Sequence, residues 1–268
     1  MKTMKQPAII RAKEADNTVE FKRTRNRPQA VASTIKDWII ELGLSPGDRL
    51  PQEPELIQKL GVSKGTLRES LKVLETQGLI RTRTGPGGGA FISRMDKELA
   101  SSLLANHFFF EDLSIADIYE MRIVLEPQLV QELAKTITKQ QIKQLCEKMS
   151  HYTNPPNSIE EEQVQRIAEL EFHETLASFC PNPLLSFTCG FLVRLLKDLT
   201  VCKTIYQSPN PELRERGLSY QEQLIEAFSI RDASLAFNIM QAHMRIAEKI
   251  MTGREAQIEK KFLGSFKP

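Results

Sequence analysis

No apolar run in the 268 residues approaches the ~20 needed to cross a bilayer as a helix. The basic N-terminus lacks the apolar block of a signal peptide, so neither membrane insertion nor export is expected. Cysteine is scarce. Cys146, Cys180, Cys189 and Cys202 show no CxxC spacing, which excludes a disulfide frame or a zinc knuckle and suits reduced thiols in a cytoplasm. HExxH and the phosphate loop ending in GK[ST] are both missing, and no internal repeat is evident. Charge of neither sign dominates, the net being only +2.

What is there is enough to fold: 41% hydrophobic and 26% charged residues, a composition that buries a sizeable core. The charge is unevenly spread. Residues 1–93 carry 16 basic and 10 acidic side chains, and residues 94–268 carry 20 and 24. A basic front and a mildly acidic back suggest two domains, with any polyanion held at the front.

Residues 1–27, with the cluster FKRTRNR, read as a basic flexible arm. Val31, Ile35, Trp38, Ile39 and Leu42 then recur at helical spacing. LSPGDRLP stops that helix and adds a short extended piece. Pro54 sits at the first turn of a second helix, where a missing N–H costs nothing, and Leu56 and Leu60 give it a buried side. Gly61 bends the chain and Ser63 is placed to cap a third helix. In that helix Leu67, Leu71 and Leu74 share one face, leaving Gly65, Arg68, Glu69 and Lys72 on the other. LIRTRT and AFIS around GPGGG predict a hairpin. Helix, extended piece, helix, turn, helix and hairpin make a winged helix-turn-helix over 28–93.

From residue 94 the pattern is helical throughout. Helices are predicted near 97–109, 115–137, 139–150, 159–179, 183–203, 212–230 and 232–251, with breaks at NPPN, CPNP, SPNP and around Arg231. The predicted fold is therefore mainly α: a winged helix-turn-helix, then an all-α antiparallel bundle over 94–252, with 253–268 as a tail.

The start of the third helix suits a DNA groove. A major groove admits one helix, and base edges are reached from its first turns. Lys64, Thr66 and Arg68 bring charge, a phosphate or methyl contact, and a paired guanine contact, while Gly65 leaves room for the backbone. Arg81 and Arg83 flank a glycine-rich tip able to approach sugar and phosphate closely. The competing reading is a solvated surface helix of mixed charge.

LSPGDRLPQEPELIQKLGVSKGTLRESLKVLETQGLIRTRTGPGGGAFIS resembles the winged-helix domain of GntR-type bacterial transcription regulators. IADIYEMRIVLEPQLVQELA, AELEFHETLASFCPNPLL and YQEQLIEAFSIRDASLAFNIMQAHM resemble the helical effector domain of the FadR/FCD branch. That resemblance implies a homodimer on a palindromic double-stranded DNA operator, regulated by a small organic acid. It assigns Ser63, Lys64, Gly65, Thr66 and Arg68, with Thr84 and Gly85 at the wing, to DNA. Pro54 departs from the Arg usual in that family after the Glu of the LPxE segment, here Glu53. The branch often holds a divalent metal, zinc or nickel, and the corresponding positions here are Glu169, His173, Gln221 and His243.

Glu169 and His173 lie one helical turn apart and can face one ion. Gln221 is a poorer donor than imidazole for such metals, and an alternative role is contact with the effector. Arg122 lies on the inward stripe with Ile118, Leu125, Leu129 and Leu133, where it can clamp a carboxylate or pair with Glu126. Asn182 is placed to cap a helix, and Arg194 and Lys197 are either surface charges or pocket cations. The effector residues expected are thus Arg122, His173, Gln221 and His243. Two other functions compete with a regulator: a metal-dependent enzyme built on Glu169, His173 and His243, and a protein-binding helical scaffold.

Overall fold

The computed structural model describes residues 27–108, 111, 113–198 and 211–252. The arm before Arg27, the expected end of the helix over 199–203, and the tail from 253 lie outside the described residues. The chain divides into two compact units, Met1–Ala100 and Ser101–Pro268.

In the first unit α1 spans Arg27–Glu41, α2 Glu53–Leu60 and α3 Lys64–Thr76. Their apolar spacing is spent on one core: Val31 and Ile35 from α1, Leu56 and Leu60 from α2, and Leu67, Leu71 and Leu74 from α3. Each such side chain contributes about 1.5–3 kcal/mol when fully buried. Gly61 ends α2 in the left-handed conformation, φ 59°, which a residue without Cβ adopts freely. Two residues later Ser63 Oγ accepts from Thr66 N at 3.2 Å and starts α3. β1 (Ile80–Arg83) and β2 (Gly89–Ile92) pair antiparallel, with Ile80 opposite Ile92 and Arg83 opposite Gly89. The extended piece after Pro46 runs beside β2, where Leu50 N donates to Ala90 O and Ile92 N to Asp48 O.

α4 (Lys97–Phe108) crosses the boundary between units. The second unit continues with α5 (Ile115–Thr136), α6 (Lys139–Met149), α7 (Ile159–Phe179), α8 (Pro183–Asp198), α9 (Pro211–Ser229) and α10 (Ala233–Thr252). Local chemistry sets the starts. Ser114 with Asp117 and Thr138 with Gln141 form reciprocal caps on α5 and α6, and Asn182 Oδ1 accepts from Leu184 N and Leu185 N to open α8. Ser158 caps α7, whose first turn carries Glu160, Glu161 and Glu162 against the helix dipole. Arg231 turns the chain between α9 and α10 at φ 58°, and its guanidinium donates to Lys135 O and Ile137 O at the end of α5.

α5 lies along α10 and against α8, α7 against α6 and α8, and α9 against α6 and α10. Leu129, Leu133, Phe172, Leu176, Leu224, Phe228 and Met244 fill one end of the bundle. Ile118, Leu192, Leu196, Ala247 and Met251 fill the other. No described helix is long and apolar enough to cross a membrane.

Candidate functional site

The first candidate surface is the start of α3. Ser63, Lys64, Gly65 and Arg68 are exposed and Thr66 is half-buried, while the opposite face of the same helix is core. Ser63 and Thr66 hydroxyls also hydrogen-bond each other at 2.9 Å, so the cap and the expected DNA-facing groups are one structure. Arg68 lies against α2, its Nε and Nη2 donating to the Glu53 carboxylate, each at 3.3 Å.

The hairpin exposes Arg81, Arg83, Thr84 and Gly85, and Gly85 takes φ 89°. Phe91 gives two arginines an aromatic face, Arg83 at 4.8 Å and Arg49 at 5.7 Å from its centroid. Arg49 also donates to Gly88 O in the turn. Glu75 of α3 accepts from Thr82 N at 2.7 Å and from its hydroxyl at 2.8 Å, tying the wing to the helix beside it. Glu53, Glu75, Arg49 and Phe91 escaped the sequence reading, because each acts through a partner on another element.

The second candidate is a buried polar cluster in the helical unit. Arg122 is 1% exposed and pairs through Nε with Glu126 one turn later on α5. The other Glu126 oxygen meets His173 Nδ1 of α7 at 2.7 Å. His173 Nε2 lies 3.4 Å from His243 Nε2 of α10, with the rings stacked. Tyr220 of α9 packs on His243, ring centroids 5.3 Å apart. Burial raises the Glu126 carboxyl, but the charges of Arg122 and His173 and their hydrogen bonds win and hold it at about 2. Burial, then the charges of His173 and Arg122, keep His243 well below its ordinary value; Glu126 opposes this and Arg166 adds to it.

Beside this chain Arg166 is buried and donates to Glu169. The Glu169 side chain lies directly over Gly217 of α9, where any Cβ would collide with it. One turn on, Gln221 is 1% exposed and its Oε1 accepts from the Tyr152 hydroxyl at 2.8 Å. Burial and then the charge of Glu169 raise the Tyr152 hydroxyl, which stays protonated as a donor. The Gln221 Nε2 is buried with no hydrogen-bond partner. Arg122, His173 and His243 are therefore interior, as their apolar neighbours predict, and Gln221 is interior with them. Arg194 and Lys197 instead bond Glu174, with Lys197 also near Glu171.

The donors for a divalent metal can be judged on this geometry. His173 and His243 suit one tetrahedral ion, since zinc–nitrogen bonds of ~2.0–2.1 Å place two nitrogens ~3.3 Å apart. The other two donors do not follow. Glu169, expected one turn from His173 and facing the same ion, is taken by Arg166, and Gln221 offers an oxygen already bonded to Tyr152. Among the described residues no three His, Cys, Asp or Glu side chains converge as metal ligands. The residues present do not fit a metal.

An exposed, capped helix with a wing beside it, joined to a helical domain with a buried polar site, defines a transcription regulator of the winged helix-turn-helix class. Residues 28–92 match the family described as bacterial regulatory proteins, gntR family, and residues 117–246 match the FCD domain. The chain belongs to the GntR family and carries an FCD domain, as in the FadR/FCD branch. It is 31% identical over 237 residues to YcbG of Bacillus subtilis, an uncharacterized HTH-type transcriptional regulator, covering 87% of this chain and 94% of that one. It is 28% identical over 233 residues to the HTH-type transcriptional repressor NanR of Salmonella schwarzengrund, covering 82% and 85%. A solved GntR structure from Streptococcus agalactiae shares the fold, with a TM-score of 0.55, 21% identity, and coverage of 83% and 99%. Both families and these relatives are transcription regulators, not enzymes.

Proposed function

We propose that the protein works in the cytoplasm as a homodimer that binds a two-fold symmetric DNA operator. A small carboxylate metabolite enters the cluster formed by α5, α7, α9 and α10 and alters that binding. The observation that carries the first half is the set Ser63, Lys64, Gly65 and Arg68, all exposed at the start of a helix whose other side is core. Thr66, Arg81, Arg83, Thr84 and Gly85 complete the DNA face. A surface built only for solubility gains nothing from concentrating groove-reading groups at one capped helix start.

The second half rests on Arg122, His173, Gln221 and His243, polar groups gathered inside an apolar bundle at a cost that burial alone does not return. Control requires the metabolite to favour one dimer geometry over another, because equal affinity for both shifts nothing. NanR is a repressor, and repression is the sense of control proposed here. Selection of bound duplexes from a random pool, repeated with a panel of organic acids, tests the reading. Enrichment of a palindrome whose retention changes with one acid is expected. Equal binding of all duplexes overturns the DNA half, and indifference to every acid overturns the effector half.

A further inference from the structure

Gln221 holds a hydrogen-bonding capacity that the fold does not use. Its Oε1 is occupied by the Tyr152 hydroxyl at 2.8 Å, and its Nε2 is buried without a hydrogen-bond partner. An unmade bond of this kind costs about 1–3 kcal/mol, and native interiors keep such groups chiefly where water or a ligand completes them. What the amide offers also has a sign. An imidazole here would present a lone pair to a cation, whereas a glutamine whose oxygen is engaged presents N–H hydrogens. Hydrogens repel a metal and attract an acceptor oxygen.

Glu169 points the same way. A metal ligand must leave its carboxylate open to the ion, but this one is bound by the buried Arg166 and seated on Gly217. His173 and His243 alone leave half of a tetrahedral shell unfilled, and two protein donors rarely hold a structural ion. We propose that this chain takes its effector without a metal, with the Gln221 Nε2 donating to a carboxylate oxygen of the effector. This rests on the effector reading above. His173, fixed by Glu126 at 2.7 Å, and His243 line the same cluster and do not serve as an ion's ligands.

The test uses the purified full chain, stripped with EDTA, incubated with zinc or nickel salts, dialysed, and assayed for bound metal. Sub-stoichiometric metal is expected for the wild type, and a full equivalent for the double variant Glu169→Asp, Gln221→His, which restores the missing donors. A full equivalent in the wild type that is lost in His243→Ala overturns the proposal. Thermal melting with mono-, di- and tricarboxylic acids forms the second arm. The active acid should raise the melting temperature equally in EDTA and in zinc, and the rise should be lost in Gln221→Leu. A rise that EDTA abolishes overturns the proposal. If no acid acts, the effector reading and the role of Gln221 fall together, while metal content alone decides whether the site is metal-free.

Discussion

Arg68 and Glu53 form a two-pronged ion contact across the turn between α2 and α3, Nε to Oε1 and Nη2 to Oε2 at 3.3 Å each. Both side chains are partly exposed, so the pair adds at most about 1 kcal/mol to stability. Its consequence is orientation. An arginine held along one edge presents its remaining N–H groups in one direction, away from Glu53. With Pro54 in place of the Arg that the family resemblance implies there, the proposed recognition would fall more heavily on this held guanidinium. Glu53→Gln should raise affinity for random duplexes, because one negative charge leaves the DNA face, while lowering the ratio of operator to random binding. Arg68→Ala should cost about 1–3 kcal/mol on the operator and relax preference at one base pair per half-site. Fluorescence anisotropy against both duplexes across a salt series separates these effects, and an unchanged ratio in Glu53→Gln counts against the orienting role.

The Tyr152–Gln221 bond spans 69 residues of sequence and joins the turn after α6 to α9. Tyr152→Phe keeps the ring and removes the donor, leaving the Gln221 oxygen buried and unpaired. The expected loss is about 1–3 kcal/mol by urea denaturation. Gln221→Leu in that background should recover part of it, since two apolar groups leave nothing unsatisfied. Additive losses in the double variant would show that the two side chains are not coupled.

Much of the first unit was legible because its signals are local. Leu67, Leu71 and Leu74 sit at helical spacing, Ser63 caps three residues ahead, and the glycines between two β-prone runs make a hairpin. The inward direction of Arg122 followed from Ile118 and Leu129 on its own helix. The partner of Glu169 did not follow. Arg166 three residues before it and His173 four after it lie on one stripe, and spacing favours neither. The seat that receives the carboxylate is Gly217, on another helix, so the choice is made by tertiary contact. Tyr152 was hidden for the same reason, in a polar turn with a partner on α9.

Gly217→Ala tests that seat directly. The added methyl meets the end of the Glu169 side chain, which swings aside more cheaply than two helices part. The fold should persist by circular dichroism, with a stability loss of about 1–3 kcal/mol as the buried Arg166 contact is disturbed. In that background Glu169→Gln should cost less than it does in the wild type, because the pair is already weakened. Equal costs in both backgrounds would mean that Gly217 does not control the Glu169 position.

His243 gives the stability a pH dependence of definite sign. In the fold its pKa lies well below the ordinary 6.5, so it is neutral where the unfolded chain's histidine has begun to take a proton. The unfolded state then binds more protons, and stability falls as pH drops below 6.5, by at most about 1.4 kcal/mol per pH unit for one group. Glu126 adds a separate acid limb. Its carboxyl is held at about 2 against 4.5, so its contribution is complete above pH 4.5 and is lost on descent toward 2. His243→Asn removes the first limb and leaves the second. Urea midpoints measured from neutral pH downward should therefore run flatter in the variant through the window from pH 6.5 to 4.5, above the acid limb of Glu126 that both proteins share. Identical slopes through the upper window would place a charged His243 inside the folded cluster, against the burial and the arginine charges that surround it.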